Sequence, residues 1–426
     1  MPSTKTAEAD TTAPQRVALR AVLTVFLPFA GGYYLSYVYR SVNAIIAGRL
    51  QADVGLSAAE LGVLTSAYFV AFAAFQLPLG LLLDRYGPRR VHGVLLVIAT
   101  AGSALFAVGD TLLELWLARA LIGLGVAAGL MAALKAITQW FPERRWPLVN
   151  GCFLAMGGLG AMSATAPVEA VLQFTDWRGL FLGLALATLA VALAVFLVVP
   201  ERRRTSAPPD LKTQISGLKS IYGDPFFWRL APMSALAMAT SLSIHGLWAG
   251  PWLRDVAGLD RAGTASTLLF MAAAMTVGFV LWGSVADLLQ RRGVRLTQTL
   301  GVGIVGYLLA LAAILGKLAP ESIVPWLTFG LISNISSLSY TVLSRHFPIQ
   351  YAGRANTALN LLVFLFAFGV QAAIGAIVDR WPAEADGGYP DAAYQTAFGC
   401  FWGLVLLAFV WFMLGARRAP MDGSKR

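Results

Sequence analysis

Long apolar runs alternate with short polar connectors along the whole of the 426-residue chain. A helix needs roughly 20 consecutive apolar residues to cross about 30 Å of hydrocarbon, and about twelve runs reach that length. The pattern therefore predicts an all-α membrane protein with twelve transmembrane helices. The predicted helices are 20–48, 60–83, 91–109, 115–140, 148–172, 178–199, 226–250, 265–288, 295–316, 323–345, 354–378 and 394–416.

The longest polar connector divides the chain into two halves of similar length, which indicates duplication of a six-helix unit. We expect two pseudo-symmetric six-helix bundles joined by this connector. The predicted divisions are an N-terminal tail at 1–19, a bundle at 20–199, a linker at 200–225, a second bundle at 226–416 and a C-terminal tail at 417–426.

Composition agrees with a lipid-embedded chain, since 58% of the residues are hydrophobic, 13% are charged and the mean hydropathy is +0.68. The net charge of +10 is concentrated on alternate connectors, and the positive-inside rule assigns those connectors, both tails and the linker to the cytoplasm. We therefore expect a monomeric, multi-pass protein of the bacterial inner membrane, in contact with lipid and not with nucleic acid. Cys152 and Cys400 lie within apolar runs, so neither a disulfide framework nor a metal site is predicted, and no cofactor is expected.

A charged motif ends the second apolar run, in the sequence GLLLDRYGPRR. The eighth run ends in GSVADLLQRRGVR, which places Asp287 four residues after a glycine, as Asp84 follows Gly80. The first motif resembles the GxxxD(R/K)xGx(R/K)(R/K) signature of the major facilitator superfamily. The matching residues are Gly80, Asp84, Arg85, Gly87, Arg89 and Arg90. The resemblance implies a twelve-helix transporter in which this loop is a cytoplasmic latch against helix eleven; the alternative is that the arginines only follow the positive-inside rule.

A second resemblance to the same superfamily lies in the fourth run. RALIGLG, with Arg119, Gly123 and Gly125, is similar to the family's RxxxGxG element, and WFPERR at 140–145 is similar to the usual end of that helix. Arg119 is a candidate for coupling transport to a proton or counter-ion, although a buried arginine can also serve helix packing alone. The antiporter signature GxxxGPxxGG is not matched in the fifth run, which argues modestly against drug efflux.

The first run carries the sharpest group of polar residues: Tyr33, Tyr37, Arg40 and Asn43 follow each other at helical spacing. The sequence YVYRSVN resembles the corresponding helix of the organophosphate:phosphate exchangers and, more loosely, that of the anion:cation symporters. The resemblance implies that Arg40 binds an anionic group of the substrate. An arginine near a helix end can instead extend its head to the membrane surface, and that alternative stays open.

Other polar residues are candidates because helices one, four, seven and ten line the central cavity in this family. Lys135, His245, Trp248 and Asn334 are the candidates from helices four, seven and ten. Lys135 can also extend to the cytoplasmic surface, and His245 and Asn334 can be ordinary hydrogen-bonded packing residues.

We found no carboxylate deep in a predicted helix apart from those in the two motifs and Glu114 and Glu169 toward the outer side. Proton coupling therefore lacks the usual buried acid, and His245, Glu169, exchange or a proton brought by the substrate remain as alternatives. The sequence predicts a secondary transporter of a small, anionic solute working by alternating access. A competing hypothesis is an exporter of amphipathic neutral or cationic compounds; an enzyme or a channel is disfavoured, because no catalytic motif or filter loop is found.

Overall fold

The computed structural model describes residues 20–142, 146–201, 220–384 and 387–416, and these residues form helices and short connectors without a strand. Most of the N-terminal tail, the linker and the C-terminal tail lies outside the described residues, as do 143–145 of the WFPERR segment. The predicted all-α fold class is confirmed. The division into two bundles stays a prediction, although six helical segments precede the linker and six follow it.

Six helical segments, α1 to α6, lie before the linker. Helix α1 consists of the π-helical turn Val22–Phe26 and the helices Leu27–Ser41 and Asn43–Val54. The run Ala58–Val108 is divided at Gly87 into α2 (58–86) and α3 (88–108). Helix α4 consists of Leu112–Val126 and Gly129–Trp140, α5 of Trp146–Ser163 and Ala166–Val171, and α6 of Trp177–Val198.

Six further segments, α7 to α12, follow the linker. Helix α7 consists of Pro225–Ser243, the π-helical turn Ile244–Trp248 and Ala249–Asp255. Helix α8 is Arg261–Arg291 and α9 is Leu296–Leu315. Helix α10 consists of Val324–Ser333, the 3-10 turn Asn334–Ser337 and Leu338–His346, while α11 is Ile349–Val378 and α12 is Asp391–Ala416.

Ten of the twelve segments are long and apolar enough to cross a membrane, within the described part of the chain. The other two, α5 and α10, are each divided into shorter helices by an irregular turn. Thr165 leaves the helical conformation two residues before Pro167, which lacks an N–H group to continue α5. In α10 the interruption is the 3-10 turn Asn334–Ser337, in which the Asn334 side chain donates to the Met275 carbonyl oxygen of α8 over 2.8 Å.

The first helix is longer than the sequence pattern predicts, because it continues through polar residues to Val54 and ends at Gly55 in the left-handed conformation (φ 74°). Arg40 thus lies about 20 Å along the helix from its end, at about 1.5 Å per residue. The Nε atom of its guanidinium is also buried inside the protein. The alternative of an interfacial arginine is therefore disfavoured.

Two faces of the helix array can be defined by its connectors. The terminal face holds the start of α1 and the turns at Gly87 and Gly293, and the opposite face holds the turns at Gly55 and Gly258. Acidic residues on these connectors cap the N-termini of several helices, because their side chains accept hydrogen bonds from N–H groups of the first turn. This capping explains many of the acidic residues on the short loops. Such caps are Asp176, Asp224 and Asp260.

The two sets of helices meet closely toward the opposite face. A Cβ at Gly375 of α11 would lie 2.4 Å from the Ala58 carbonyl oxygen of α2, and a Cβ at Gly250 of α7 would lie 2.0 Å from the Ala44 carbonyl oxygen of α1. Only glycine permits backbones to approach this closely. The first and second six helices therefore form a tight seal on this side.

Hydrogen bonds reinforce the seal. Gln371 of α11 donates to Thr65 of α2 over 2.7 Å, and the Tyr389 hydroxyl accepts from the Ala58 N–H over 3.2 Å while it donates to Asp379 over 3.0 Å. Burial raises the pKa of Tyr389, so the hydroxyl stays protonated and retains its proton for Asp379. Tyr389, which lies in the second half of the chain, thus accepts a hydrogen bond from an N–H group in the first turn of α2.

Substitution of Gly375 by Ala is expected to open the opposite face. The added methyl group would overlap the Ala58 carbonyl oxygen only when the seal is closed, and overpacking of this kind costs about 1–3 kcal/mol. The population of the closed conformation should fall about 5- to 150-fold relative to the open one. Distances between spin labels at the exposed residues Ala52 and Ala262, measured by pulsed electron paramagnetic resonance, should lengthen.

Gly183→Ala in α6 is the matched control, since no heavy atom lies within 4 Å of the added Cβ. Unchanged label distances in Gly375→Ala would contradict the role of Gly375 in closing the seal.

Candidate functional site

Arg40 lies among aromatic rings contributed by α1, α2 and α11. Its guanidinium carbon is 4.7 Å from the ring centroid of Tyr37, 5.8 Å from that of Tyr68, 5.7 Å from that of Phe72 and 5.2 Å from that of Phe364. Each distance is within the range of cation–π attraction. We call Arg40 and these four rings the Arg40 cage.

Phe364 joins the cage from the second six helices, while the other rings belong to the first six. The Phe72 and Phe364 rings are 4.2 Å apart, so the two sets of helices touch beside the guanidinium. Any movement of α11 against α2 must separate these rings and change what surrounds Arg40.

Arg40 has unused hydrogen-bonding capacity. Its Nε is buried without a hydrogen-bond partner, and no carboxylate forms an ion pair with Arg40 within the part of the chain that the structure describes. A buried charge without a partner is costly. An anion is the ligand that would reduce this cost, because a guanidinium offers paired N–H groups in a planar fork.

Tyr33 lies next to the cage and contacts Tyr37, one of its four rings, as their spacing predicts. Their hydroxyl oxygens are 3.3 Å apart, and the Tyr33 ring stacks on Phe153 of α5 with centroids 4.6 Å apart. Asn43, one turn beyond Arg40, is buried and its Oδ1 has no hydrogen-bond partner. These residues extend a polar strip along α1.

Tyr68, Phe72 and Phe364, which form most of the cage, were not among the residues predicted from the sequence. Neither was the pair on α10 and α11 in which Tyr340 donates to Asn360 over 3.0 Å; Tyr340 lies within electrostatic range of Arg40. Aromatic residues in an apolar helix carry no sequence signal that separates a cage from a lipid-facing or packed ring.

Lys135 is not brought to the Arg40 cage. Its Nζ donates to the Leu83 carbonyl oxygen over 3.0 Å, at the terminal-face end of α2. Arg40 and Lys135, which were predicted to share a cavity, therefore lie at different depths. In this conformation Lys135 joins α4 to α2.

The candidates from α7 and α10 are held by backbone carbonyl groups. Trp248 is buried and donates to Gln371 O over 3.2 Å, next to the seal, and Asn334 donates to Met275 O over 2.8 Å. His245 stacks on Phe329 with centroids 5.1 Å apart and is hydrogen-bonded through Nδ1 to Ser241 O. Trp248 and Asn334 thus join helices in this conformation, while one nitrogen of His245 is without a hydrogen-bond partner.

Two further coupling candidates, Arg119 and Glu169, occupy different surroundings. Arg119 is fully buried, donates to Tyr39 O over 3.1 Å and lies over the rings of Phe106 and Phe181. Glu169 forms a two-pronged ion pair with Arg49 at 2.7 and 2.8 Å. An ion pair of this geometry joins α1 to α5, which favours a structural role for Glu169.

The latch motif is partnered within the first six helices. Gly87 adopts φ 77° and makes the turn between α2 and α3, as its residue type predicts. Arg90 forms an ion pair with Glu201 over 2.5 Å, and Arg89 lies 3.8 Å from Glu201 and also donates to Phe196 O. The motif therefore contacts the end of α6 in this conformation.

The other described residues of the latch motif make few contacts across the boundary between the two sets of helices in this conformation. No heavy atom lies within 4 Å of a Cβ built at Gly80, so this glycine makes no close helix contact among the described residues in this conformation. Arg85 lies over its neighbour Tyr86, and Asp287 pairs with Arg291 one turn later on an exposed surface. The side chain of Asp84 lies outside the described residues.

The family model of the Major Facilitator Superfamily matches residues 29–372. The chain is 24% identical over 378 residues to a probable sulfoacetate transporter, SauU, of Cupriavidus necator, covering 84% of this chain and 86% of that protein. It is 24% identical over 404 residues to a D-galactonate transporter of Escherichia coli, covering 88% and 92%.

A solved structure shares the fold. A bacterial homologue of the human lysosomal transporter Spinster, crystallised in an inward-facing and unoccupied conformation, superimposes with a TM-score of 0.79 at 17% identity, covering 93% of this chain and 97% of that one. The likeness supports the arrangement of helices described above.

The ion pair of Arg49 and Glu169 can be tested by a double-mutant cycle. Arg49→Met leaves a largely buried carboxylate unpaired, and Glu169→Gln leaves a largely buried guanidinium unpaired, so each single variant should lower thermal stability. The double variant should recover part of the loss, with a coupling of about 0.5–3 kcal/mol. Thermal unfolding of the purified protein measures all four forms; strictly additive losses would contradict a stabilising pair.

Proposed function

The chain belongs to the major facilitator superfamily, and on that premise we propose that it is a secondary transporter that carries a small organic anion by alternating access, with Arg40 as the main contact for the anionic group. The observation that carries the proposal is the buried Arg40 guanidinium, which is surrounded by aromatic rings and has no carboxylate partner among the described residues. A cation held in this way attracts an anion and repels a cationic substrate.

The residues around Arg40 favour a particular kind of anion. The hydroxyl groups of Tyr33, Tyr37 and Tyr340 and the amide of Asn360 supply hydrogen-bonding groups beside one fixed positive charge. Such a site fits a compact carboxylate or sulfonate whose remaining polar groups are neutral. The similar proteins named for sulfoacetate and D-galactonate support a small organic anion as substrate. D-galactonate, with one carboxylate and neutral hydroxyl groups, fits the site described here, whereas sulfoacetate carries two charged groups.

The conformation fits one stage of an alternating-access cycle. The described contacts between the two sets of helices concentrate at the opposite face, where Gly62 and Gly375 permit close approach, while Arg89 and Arg90 of the terminal face contact their own set. If both termini are cytoplasmic, as the charge pattern predicts, this is an inward-facing conformation. We place the protein in the bacterial inner membrane and expect it to act as a monomer.

The competing function is an exporter of amphipathic neutral or cationic compounds, which would use the rings of the cage without needing its charge. A thermal-shift screen separates the two. Under the anion hypothesis, D-galactonate, sulfoacetate or a similar compact acid raises the unfolding temperature in an Arg40-dependent way, because a ligand that binds only the folded state stabilises it by RT ln(1 + [L]/Kd). Stabilisation by cationic amphiphiles alone would support the exporter.

Substitution of Arg40 should impair transport of the stabilising anion. Arg40→Lys keeps the charge but loses the planar fork, and loss of a charge-assisted hydrogen bond worth about 1.5–3 kcal/mol predicts roughly 10- to 100-fold lower kcat/KM. Arg40→Ala should be worse, since it removes the charge as well. Uptake of labelled anion into proteoliposomes measures both.

Arg178→Lys is the matched control, because Arg178 pairs with Asp110 at the opposite face, far along the sequence from the cage. Unimpaired uptake by both Arg40 variants would contradict the proposed function.

A further inference from the structure

We propose that the phosphate of an anionic phospholipid binds beside Arg229, where the start of α7 meets the end of α12 at the terminal face. Trp228, Arg229 and Trp411 form the site, and we call these three residues the α7–α12 corner. The site is separate from the Arg40 cage and does not depend on which solute is transported.

Arg229 is a cation without an acidic partner. It lies five residues after Asp224, the N-cap of α7, and so about 7 Å into that helix. Its Nε donates to the Phe412 carbonyl oxygen of α12 over 3.4 Å. Its Nη2 is buried without a hydrogen-bond partner, and no carboxylate among the described residues forms an ion pair with Arg229. The residue is nevertheless partly exposed, and Nη1 is not closed off in the same way.

The surroundings offset only part of this positive charge. Phe412 lies four residues before the end of α12, and the carbonyl end of a helix carries a partial charge of about −0.5. Asp224, the acid nearest along α7, already accepts hydrogen bonds from two first-turn N–H groups and from His346. About half of the charge of Arg229 is therefore left for a ligand.

A proline positions the two tryptophans of the corner. Pro232 has no N–H group, so the Trp228 carbonyl oxygen, four residues earlier, lacks its usual partner within α7. Trp411 of α12 supplies the missing donor, since its Nε1 donates to Trp228 O over 3.3 Å. The Trp228 indole folds back and donates to Tyr222 O over 2.6 Å. Both rings are thereby held at the boundary between α7 and α12.

The corner lies on the outer surface of the protein. Trp228 is 44% exposed and Trp411 is 59% exposed. Tryptophan is enriched where hydrocarbon meets the lipid headgroups, because the ring is apolar and its N–H group is polar. Basic pockets between helices at this depth bind the headgroups of anionic lipids.

An apolar strip on α12 favours a lipid over free phosphate as the source of the phosphate group. Leu404, Leu407 and Trp411 are all exposed and follow each other at helical spacing, so they share one face of α12. This strip runs from the corner toward the middle of the helix. A lipid whose phosphate lies at Arg229 can place an acyl chain along the strip, whereas inorganic phosphate gains nothing from it.

The charge of the corner favours an anionic over a zwitterionic lipid. Phosphatidylcholine carries the same phosphate group, but its choline cation would lie near Arg229, whereas phosphatidylglycerol has no cation. In the sequence, Arg417 and Arg418 directly follow α12; they lie outside the described residues and are not part of the proposed site, but they make the adjoining chain basic. One basic residue beside an anionic headgroup is expected to change affinity roughly fivefold.

Native mass spectrometry of the full chain, titrated with phosphatidylglycerol, phosphatidylcholine and inorganic phosphate, tests the site. The native protein should bind phosphatidylglycerol more tightly than phosphatidylcholine, and excess inorganic phosphate should not displace it. Arg229→Gln keeps an amide donor for Phe412 O but removes the charge. It should lower the affinity for phosphatidylglycerol roughly fivefold and leave that for phosphatidylcholine within about twofold.

Two further variants separate charge from structure. Arg229→Lys keeps the charge and should retain the affinity for phosphatidylglycerol within about twofold. Arg291→Gln is the matched control, because it removes the same charge from the terminal face at an exposed ion pair with Asp287, and the affinity should again stay within about twofold. Equal affinities in the native protein and Arg229→Gln, or displacement of the lipid by inorganic phosphate, would overturn the inference.

A second measurement uses only the native protein, so it does not depend on the folding of a variant. Phosphatidylglycerol with a photoreactive group at its headgroup should label peptides from 225–232 or 407–414, as identified by mass spectrometry after digestion. Labelling confined to other helices would overturn the inference.

Arg40→Ala separates this inference from the proposed function. It should bind phosphatidylglycerol as the native protein does, while it loses anion uptake. Failure of lipid binding at Arg229 would leave Arg40-dependent uptake standing, and absence of that uptake would leave the lipid site standing.

Discussion

A buried guanidinium must replace its hydration shell with other contacts, and the rest of this structure depends on how Arg40 does so. The hydrocarbon offers nothing, and no acid among the described residues pairs with it. The faces of Tyr37, Tyr68, Phe72 and Phe364 take the place of water by cation–π attraction. These contacts are weaker than hydration, so the charge is held but remains open to a stronger partner.

The same rings connect the site to the surface between the two sets of helices. Phe364 belongs to α11 and Phe72 to α2, so their contact forms part of the boundary between the first and second six helices. Glycines complete that surface toward the opposite face, where Gly62 and Gly375 bring α2 and α11 into backbone contact. An anion that alters the cage therefore acts on the same pair of helices that closes the seal.

Charge at the terminal face follows a different principle, because water is available there. Arg89 and Arg90 pair with a half-exposed Glu201, and Asp287 with Arg291 on an exposed surface. Ion pairs in such surroundings contribute little and exchange partners readily. That property suits a latch, which must hold in one conformation and release in another, whereas the buried pair of Arg49 and Glu169 suits a fixed joint.

The sequence by itself determined the membrane-spanning fold, the family and the position of the main cation. Runs of apolar residues are long enough to be counted without a structure, the motif around Gly87 has fixed spacing, and Arg40 is conspicuous in an apolar helix. Only the tertiary structure decided that Lys135 holds a backbone carbonyl group instead of joining Arg40, that Glu169 is paired, and that Phe364 completes the cage. The physical reason is that these outcomes depend on which residues distant in the chain lie against each other, and apolar helices pack through shapes that hydropathy and local spacing do not encode.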